Sequence, residues 1–189
     1  MPRLYLIRHG KPAAVWGEAD DDPGLDETGR AQANAARDFL MGLPEHDRPK
    51  RVVSSPLRRC RETALPTAEA LGVDVEIDPK VGEIPTPSAL SHEERPGWLR
   101  KVFQGLWKDV EGDLDYDAWR AEVAASLRAR GDTAVFSHYV AINAVMSHLE
   151  GDDRVLVFRP DHASITTLET DGADLVLVEK GREASTGVL

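Results

Sequence analysis

Four places in the chain carry residue types that could do chemistry together. They are the pair Arg8-His9, the run 54–61 with Ser54, Ser55, Arg58, Arg59 and Arg61, the carboxylate Glu83, and His138. An arginine presents a rigid fork of donors suited to the oxygens of a phosphate or carboxylate. A neutral histidine is a competent nucleophile toward phosphorus when its other ring nitrogen is held as a donor. A second histidine can bind a phosphoryl oxygen and stabilise charge in the transition state. A carboxylic acid can protonate a leaving alkoxide if burial keeps it protonated. Two histidines, one or two arginines and one carboxylate therefore suit metal-free phosphoryl transfer through a phosphohistidine.

For that chemistry the four places must meet, and the element pattern says how. The apolar run at 4–7 reads as a buried strand that ends at Arg8 and His9. Segment 13–25, with Asp20, Asp21, Asp22, Pro23 and Gly24, reads as a loop. A helix is expected over 28–43, capped by Asp26 or Thr28, with Ala31, Ala35, Phe39 and Leu40 on its inner face. Strand 51–54 precedes a helix over 58–71 that stops near Gly72, and 73–77 reads as an edge strand. Segment 85–115 holds Pro85, Pro87, Pro96, Trp98 and Trp107 between short helical patterns and reads as a helical cap inserted in one domain spanning 1–189. A helix over 116–130, closed by Gly131, carries Trp119, Val123 and Leu127 at four-residue spacing. Strand 133–137, a helix over 140–149, and strand-like runs at 155–158, 165–169 and 175–179 follow, with a loose tail from 181. Alternation of this kind predicts a three-layer α/β fold, a mostly parallel sheet with helices on both faces. Open α/β sheets bind ligands outside the carboxyl ends of their strands, which is where Arg8, His9, the 54–61 run, Glu83 and His138 fall.

Composition narrows the partners. The chain has 189 residues, 41% hydrophobic and 30% charged, the balance of a globular domain. No apolar run approaches a bilayer span, and the start is too short in apolar residues for a signal peptide. A single cysteine makes neither an internal disulfide nor a cysteine zinc site, so the expected home is the cytoplasm. A net charge of −10 disfavours nucleic acid and anionic membranes as partners. An anionic substrate then requires a local positive pocket within a negative field.

Several blocks carry a family resemblance. Arg8-His9-Gly10 after a strand resembles the signature of the histidine phosphatase superfamily, in the branch that includes the cofactor-dependent phosphoglycerate mutases. The stretch Leu25-Asp26-Glu27-Thr28-Gly29-Arg30-Ala31-Gln32-Ala33 is similar to the family's opening of its first helix. Ser54-Ser55-Pro56-Leu57-Arg58-Arg59-Cys60-Arg61-Glu62-Thr63-Ala64 is similar to its second block. Val81-Gly82-Glu83-Ile84, Val135-Phe136-Ser137-His138 and Ala163-Ser164-Ile165-Thr166 resemble its later blocks. The resemblance implies that His9 attacks phosphorus, that Arg8, Arg59 and His138 hold the phosphoryl oxygens, and that Glu83 gives a proton to the leaving group and then helps activate water. It implies no cofactor and no metal. Arg58 is expected to point away from Arg59 into solvent, and Arg61 to make no contact.

The chain departs from the mutases in two blocks. Its loop after the nucleophile reads Lys11-Pro12-Ala13-Ala14-Val15-Trp16, and its acid block reads Gly82-Glu83-Ile84-Pro85-Thr86-Pro87. Basic residues for a second phosphate or carboxylate are not evident. Hydrolysis of a phosphorylated small molecule or phosphoprotein is therefore the expectation. A phosphoglycerate-type mutase and a non-catalytic phosphate-binding protein are the alternatives. His46, His92 and His148 read as surface or packing residues. His162 reads as packing with reach to the site's rim, Cys60 as a buried helix residue, and Asp20-Asp21-Asp22 as a solvated acidic loop. Trp98, Trp107 and Trp119 read as packing among small helices.

Overall fold

The computed structural model describes residues 1–14 and 21–185. Residues 15–20 of the expected loop at 13–25, including Asp20, and the end of the tail at 186–189 lie outside the described residues. Six strands form one mixed sheet: β1 (Arg3–Arg8), β2 (Arg51–Ser54), β3 (Val75–Ile77), β4 (Thr133–Ser137), β5 (Ile165–Thr170) and β6 (Leu175–Glu179), in the order β3-β2-β4-β1-β5-β6. The first four are mutually parallel, while β5 pairs antiparallel with β1 and β6 antiparallel with β5. The parallel strands all end at one rim, and β3 lies at the sheet edge as its polar pattern requires.

Strand β1 explains the layering. Tyr5 and Ile7 face a core shared with Leu40, Cys60, Ala64 and Phe136, under α1 (Glu27–Gly42) and α2 (Arg58–Leu71). Leu4 and Leu6 face the opposite core, filled from α4 (Tyr116–Arg128) and α5 (Tyr139–Glu150). Helices α1 and α2 follow β1 and β2 onto one face, whereas α5 follows β4 onto the other. The connections of neighbouring β1 and β4 thus part to opposite sides, and a crevice opens where they separate. Register Arg8↔Ser137 sets the ends of β1 and β4 side by side.

The stripe of α1 differs from the sequence expectation. Asp26 caps it, accepting from Gly29 N–H at 2.7 Å, but the buried residues are Gly29, Ala33, Ala36 and Leu40, with Ala31, Ala35 and Phe39 exposed. Backbone contact turns the helix. A Cβ on Gly29 would strike the Lys11 carbonyl, and one on Gly10 would lie 2.6 Å from the Gly29 carbonyl oxygen. Two glycines let the loop after β1 lie directly on the first turn of α1, and that contact outranks the apolar periodicity.

The run 155–158 is not a strand. Val155 and Phe158 fill the α5-side core, and the amides of Val157 and Phe158 both donate to Asn143 Oδ1 of α5 at 3.0 Å. One side-chain amide does the work of a neighbouring strand. Helix α4 ends at Arg128, and the left-handed turn that follows is made by Asp132, not Gly131. The tail is not loose through 185. Glu183 bridges Pro160, Ala184 N–H donates to the Arg159 carbonyl at 2.9 Å, and Arg182 pairs with Asp161 at 2.9 Å.

Segment 85–115 contains α3 (Arg95–Gln104) and a short 3-10 turn at Trp107–Asp109. Leu99, Val102 and Trp107 belong to the main core, and Trp107 Nε1 donates to Ser147 Oγ of α5 at 2.8 Å. The segment therefore shares the domain's core rather than building its own. Trp98 meets Tyr116 and Trp107 meets Trp119, each with ring centroids 5.9 Å apart. Among the described residues no helix is long and apolar enough to cross a membrane.

Replacing Asn143 with alanine strips an acceptor from two amides at once. With each stranded buried group costing roughly 1–3 kcal/mol, Asn143→Ala should lose about 2 kcal/mol or more in urea unfolding. An unchanged midpoint would show that the 155–158 run is held by its side chains alone.

Candidate active site

The site is assembled from backbone contacts outward. His9 N–H donates to the Ser137 carbonyl at 3.0 Å, and the His9 carbonyl accepts from Ala163 N–H at 3.2 Å. The nucleophile candidate is thus pinned between the end of β4 and the turn before β5. Gly10 N–H donates to Thr63 Oγ1 at 2.9 Å, and that hydroxyl donates to the Arg59 carbonyl at 2.6 Å. Thr63 therefore fastens the loop after β1 to the first turns of α2, where Arg59 sits. The amide of Arg58, the first residue of α2, donates to Asp22 Oδ1 at 2.8 Å. Part of the expected solvated acidic loop is therefore a helix cap.

Arg59 links the two histidines. Its Nε donates to His9 Nε2 at 3.2 Å, and its Nη2 lies 3.1 Å from His138 Nδ1. A guanidinium only donates, so both ring nitrogens present lone pairs to it. His9 must then carry its hydrogen on Nδ1, which donates to the Gly10 carbonyl at 2.7 Å. The imidazole centroids are 5.3 Å apart. Burial, aided by the Arg59 charge, holds both histidines well below the usual imidazole range, so both are neutral at pH 7. His138 is fully enclosed, with its Nε2 2.7 Å from Ser55 Oγ.

Arg8 is buried at the end of β1. Its Nη1 donates to the Pro160 carbonyl at 2.9 Å, and its guanidinium lies over the Tyr139 ring at 4.9 Å. Burial lowers its pKa to about 10, which still leaves a cation at neutral pH. Glu83 lies in the loop after β3, half-buried, and Oε1 accepts from Ile84 N–H at 2.9 Å. Ser137 Oγ donates to the Val81 carbonyl at 2.7 Å and ties this loop to the end of β4. Burial raises the Glu83 pKa against the downward pull of the Ile84 amide and of Arg59, Arg95 and Arg8. Such a carboxyl is more easily kept protonated than an exposed one.

Arg58 is exposed and pairs with Glu62 at 2.7 Å, and Arg61 is exposed. Cys60 is buried in α2, and burial pushes its thiol up. The sequence undervalued two groups. The His162 ring lies 5.9 Å from that of His9, and burial, with the Arg8 charge, brings its pKa down to about 4. Its position before β5 was the available signal. Arg95 acts electrostatically on Glu83, Arg59 and His138 from the first turn of α3. A half-buried cation at a helix N-terminus runs against the helix dipole, and Arg95-Pro96 was the cue.

Fold and site together define the class: an α/β domain whose crevice between two parallel strands gathers buried guanidinium groups and neutral imidazoles. The chain belongs to the histidine phosphatase superfamily, branch 1, whose family model matches residues 4–182. It is 30% identical over 206 residues to the uncharacterized protein Rv0525 of Mycobacterium tuberculosis (strain ATCC 25618 / H37Rv), covering 97% of each chain. It is 28% identical over 191 residues to the bifunctional protein Rv2228c of the same organism, covering 94% of this chain and 50% of that one. The chain thus spans about half the length of the first curated relatives it matches. The native structure of the mycobacterial glucosyl-3-phosphoglycerate phosphatase Rv2419c superposes with a TM-score of 0.71 at 23% identity, covering 98% of this chain and 100% of that one.

The buried histidines make stability depend on pH. Each is neutral in the folded state and takes up a proton more readily when unfolded, so stability is full above the ordinary value of 6.5 and falls as pH drops below it. For His162 the loss runs from 6.5 down to about 4. Denaturant midpoints measured through that window should fall for the wild type and fall less steeply for His162→Phe. Parallel curves would remove His162 from the account.

Proposed function

We propose that the protein is a phosphoric monoester hydrolase that works through a phosphohistidine on His9 and needs no metal ion. The observation that carries this reading is the single Arg59 guanidinium donating to His9 Nε2 and His138 Nδ1. It aims the nucleophile's lone pair toward the same side as the anion-binding groups. The substrate is a phosphorylated small molecule or phosphoprotein. Membership of the superfamily supports this reading.

In the first step His9 Nε2 attacks phosphorus in line while the ester P–O bond breaks. Arg8, Arg59 and His138 hold the phosphoryl oxygens and offset the charge that builds on them. Glu83 gives its proton to the departing alkoxide. In the second step water attacks phosphorus, the P–N bond breaks, and Glu83 takes back a proton from that water. His9 returns to a neutral ring with its hydrogen on Nδ1. The Gly10 carbonyl, which accepts from Nδ1, supports the positive charge on the phosphorylated ring.

The test is turnover of an alkyl phosphate and of p-nitrophenyl phosphate, with a chelator present and no bisphosphorylated primer. Wild type should hydrolyse both, and His9→Ala neither. Glu83→Gln should slow the alkyl ester by about 10²–10⁴-fold, the usual weight of a general acid, and the nitrophenyl ester much less because its leaving group needs no proton. Activity that requires a metal, or that survives His9→Ala, would overturn the mechanism. Dependence on a bisphosphorylated primer would point to the mutase alternative. Binding of phosphate with no turnover of any ester would point to a non-catalytic protein.

A further inference from the structure

We propose that Tyr139 is a positioning residue for Arg8, and that Phe103 of α3 extends the contact into a stack through which the 85–115 segment sets how firmly the crevice grips a phosphoryl group. The proposal rests on the reading of this crevice as a phosphoryl site. Arg8 is buried, and among the described residues no ion pair holds its side chain. Its Nη1 donates to the Pro160 carbonyl at 2.9 Å, and its guanidinium lies over the Tyr139 ring, 4.9 Å from the centroid. Its Nε is buried and meets no hydrogen-bond acceptor among the described residues. One carbonyl fixes one corner of a planar fork and leaves the fork free to swing about that bond. The ring face is the contact that sets the plane. A buried cation with an unsatisfied N–H is costly, and the negative face of an aromatic ring offsets part of that cost. Unlike a carboxylate, the ring does so without cancelling the charge that an anion needs.

Tyr139 is itself placed from two sides. It is the first residue of α5, directly after His138, and its carbonyl accepts from Asn143 Nδ2 at 3.0 Å. Its ring is buried in the α5-side core, where Phe103 meets it nearly at right angles, with centroids 5.7 Å apart and planes at 75°. Edge-to-face pairs of this kind favour one mutual orientation over others. Phe103 belongs to α3, and so to the 85–115 segment. The order Phe103, Tyr139, Arg8 thus runs from that segment to the phosphoryl pocket in two ring contacts. A shift of Phe103 tilts Tyr139, and with it the guanidinium plane. Arg59 takes its geometry from the two imidazoles instead, so the stack acts on one arginine and leaves the other in place. The Tyr139 hydroxyl has no part in this arrangement.

Titration calorimetry with inorganic phosphate, alongside kcat and KM for p-nitrophenyl phosphate, reads that grip. Tyr139→Phe keeps the ring face and should keep the wild-type phosphate affinity. Phenylalanines with one, two and three ring fluorines at position 139 keep the size and drain the face, so the logarithm of the phosphate Kd should rise stepwise with each fluorine. Tyr139→Leu keeps the apolar burial but should weaken phosphate about tenfold, the weight of a desolvated cation–π contact, and lower kcat/KM with it. Phe103→Ala should weaken phosphate severalfold in the wild type and add nothing to Tyr139→Leu, because the two act through one contact. Equal phosphate affinity across the fluorinated series would overturn the proposal. So would a Phe103→Ala effect that is absent, or that persists in full beside Tyr139→Leu. Should Tyr139→Leu fail to fold, the trifluorinated variant takes its place in both comparisons. A wild type that binds no phosphate, or an Arg8→Ala variant that binds it equally well, would instead overturn the reading of the crevice, and the proposal with it.

Discussion

A buried guanidinium set between two neutral imidazoles governs the site. Arg59 is 4% exposed, and the partners that define its geometry are the ring nitrogens of His9 and His138. Burying a cation is costly unless its hydrogens are satisfied, and lone pairs on neutral rings satisfy them without cancelling the charge. The positive charge therefore remains available to an anion. The same hydrogen bonds settle which nitrogen of each ring carries the hydrogen and which the lone pair, and the proposed mechanism uses the lone pair on Nε2 of His9. A carboxylate in place of either imidazole would neutralise Arg59.

The fold exists around that contact. Parallel strands β1 and β4 end side by side while their helices leave to opposite faces, so His9 and His138 are brought together across the crevice. Helix α2 delivers Arg59 from the third element, and Thr63 locks its first turns to Gly10. Gly10 and Gly29 allow the close approach of loop to helix on which this lock depends. The second and third arginines differ in kind. Arg8 is fixed by a carbonyl and an aromatic face within the sheet, whereas Arg95 comes from the 85–115 segment, the part of the chain least determined by the sheet. Against a net charge of −10, these cations gather positive charge at the crevice.

Much of this was legible in the residues because strand ends are legible. Runs 51–54, 133–137 and 175–179 match β2, β4 and β6, and the helix at 58–71 matches α2, since apolar blocks bounded by turn residues leave little freedom. What was illegible was non-local. The inner face of α1 is chosen by Gly29 against the Lys11 backbone, a contact between distant residues that outweighs the spacing of Ala31, Ala35 and Phe39. The run 155–158 has the apolar density of a strand, yet Asn143 supplies its acceptor from another element. His162 carried a weak cue, and Arg95, which the sequence reading did not single out, reaches the site electrostatically from the first turn of α3.

The account stands on one atom, Nε2 of His9, being the acceptor of the phosphoryl group. Rapid quenching of the enzyme with a phosphorus-labelled ester, followed by base-stable isolation and phosphorus–nitrogen NMR, identifies the phosphorylated nitrogen. The account predicts a single acid-labile phosphoramidate on Nε2 of His9. Phosphate on Nδ1, on another residue, or on no residue during steady turnover would contradict it.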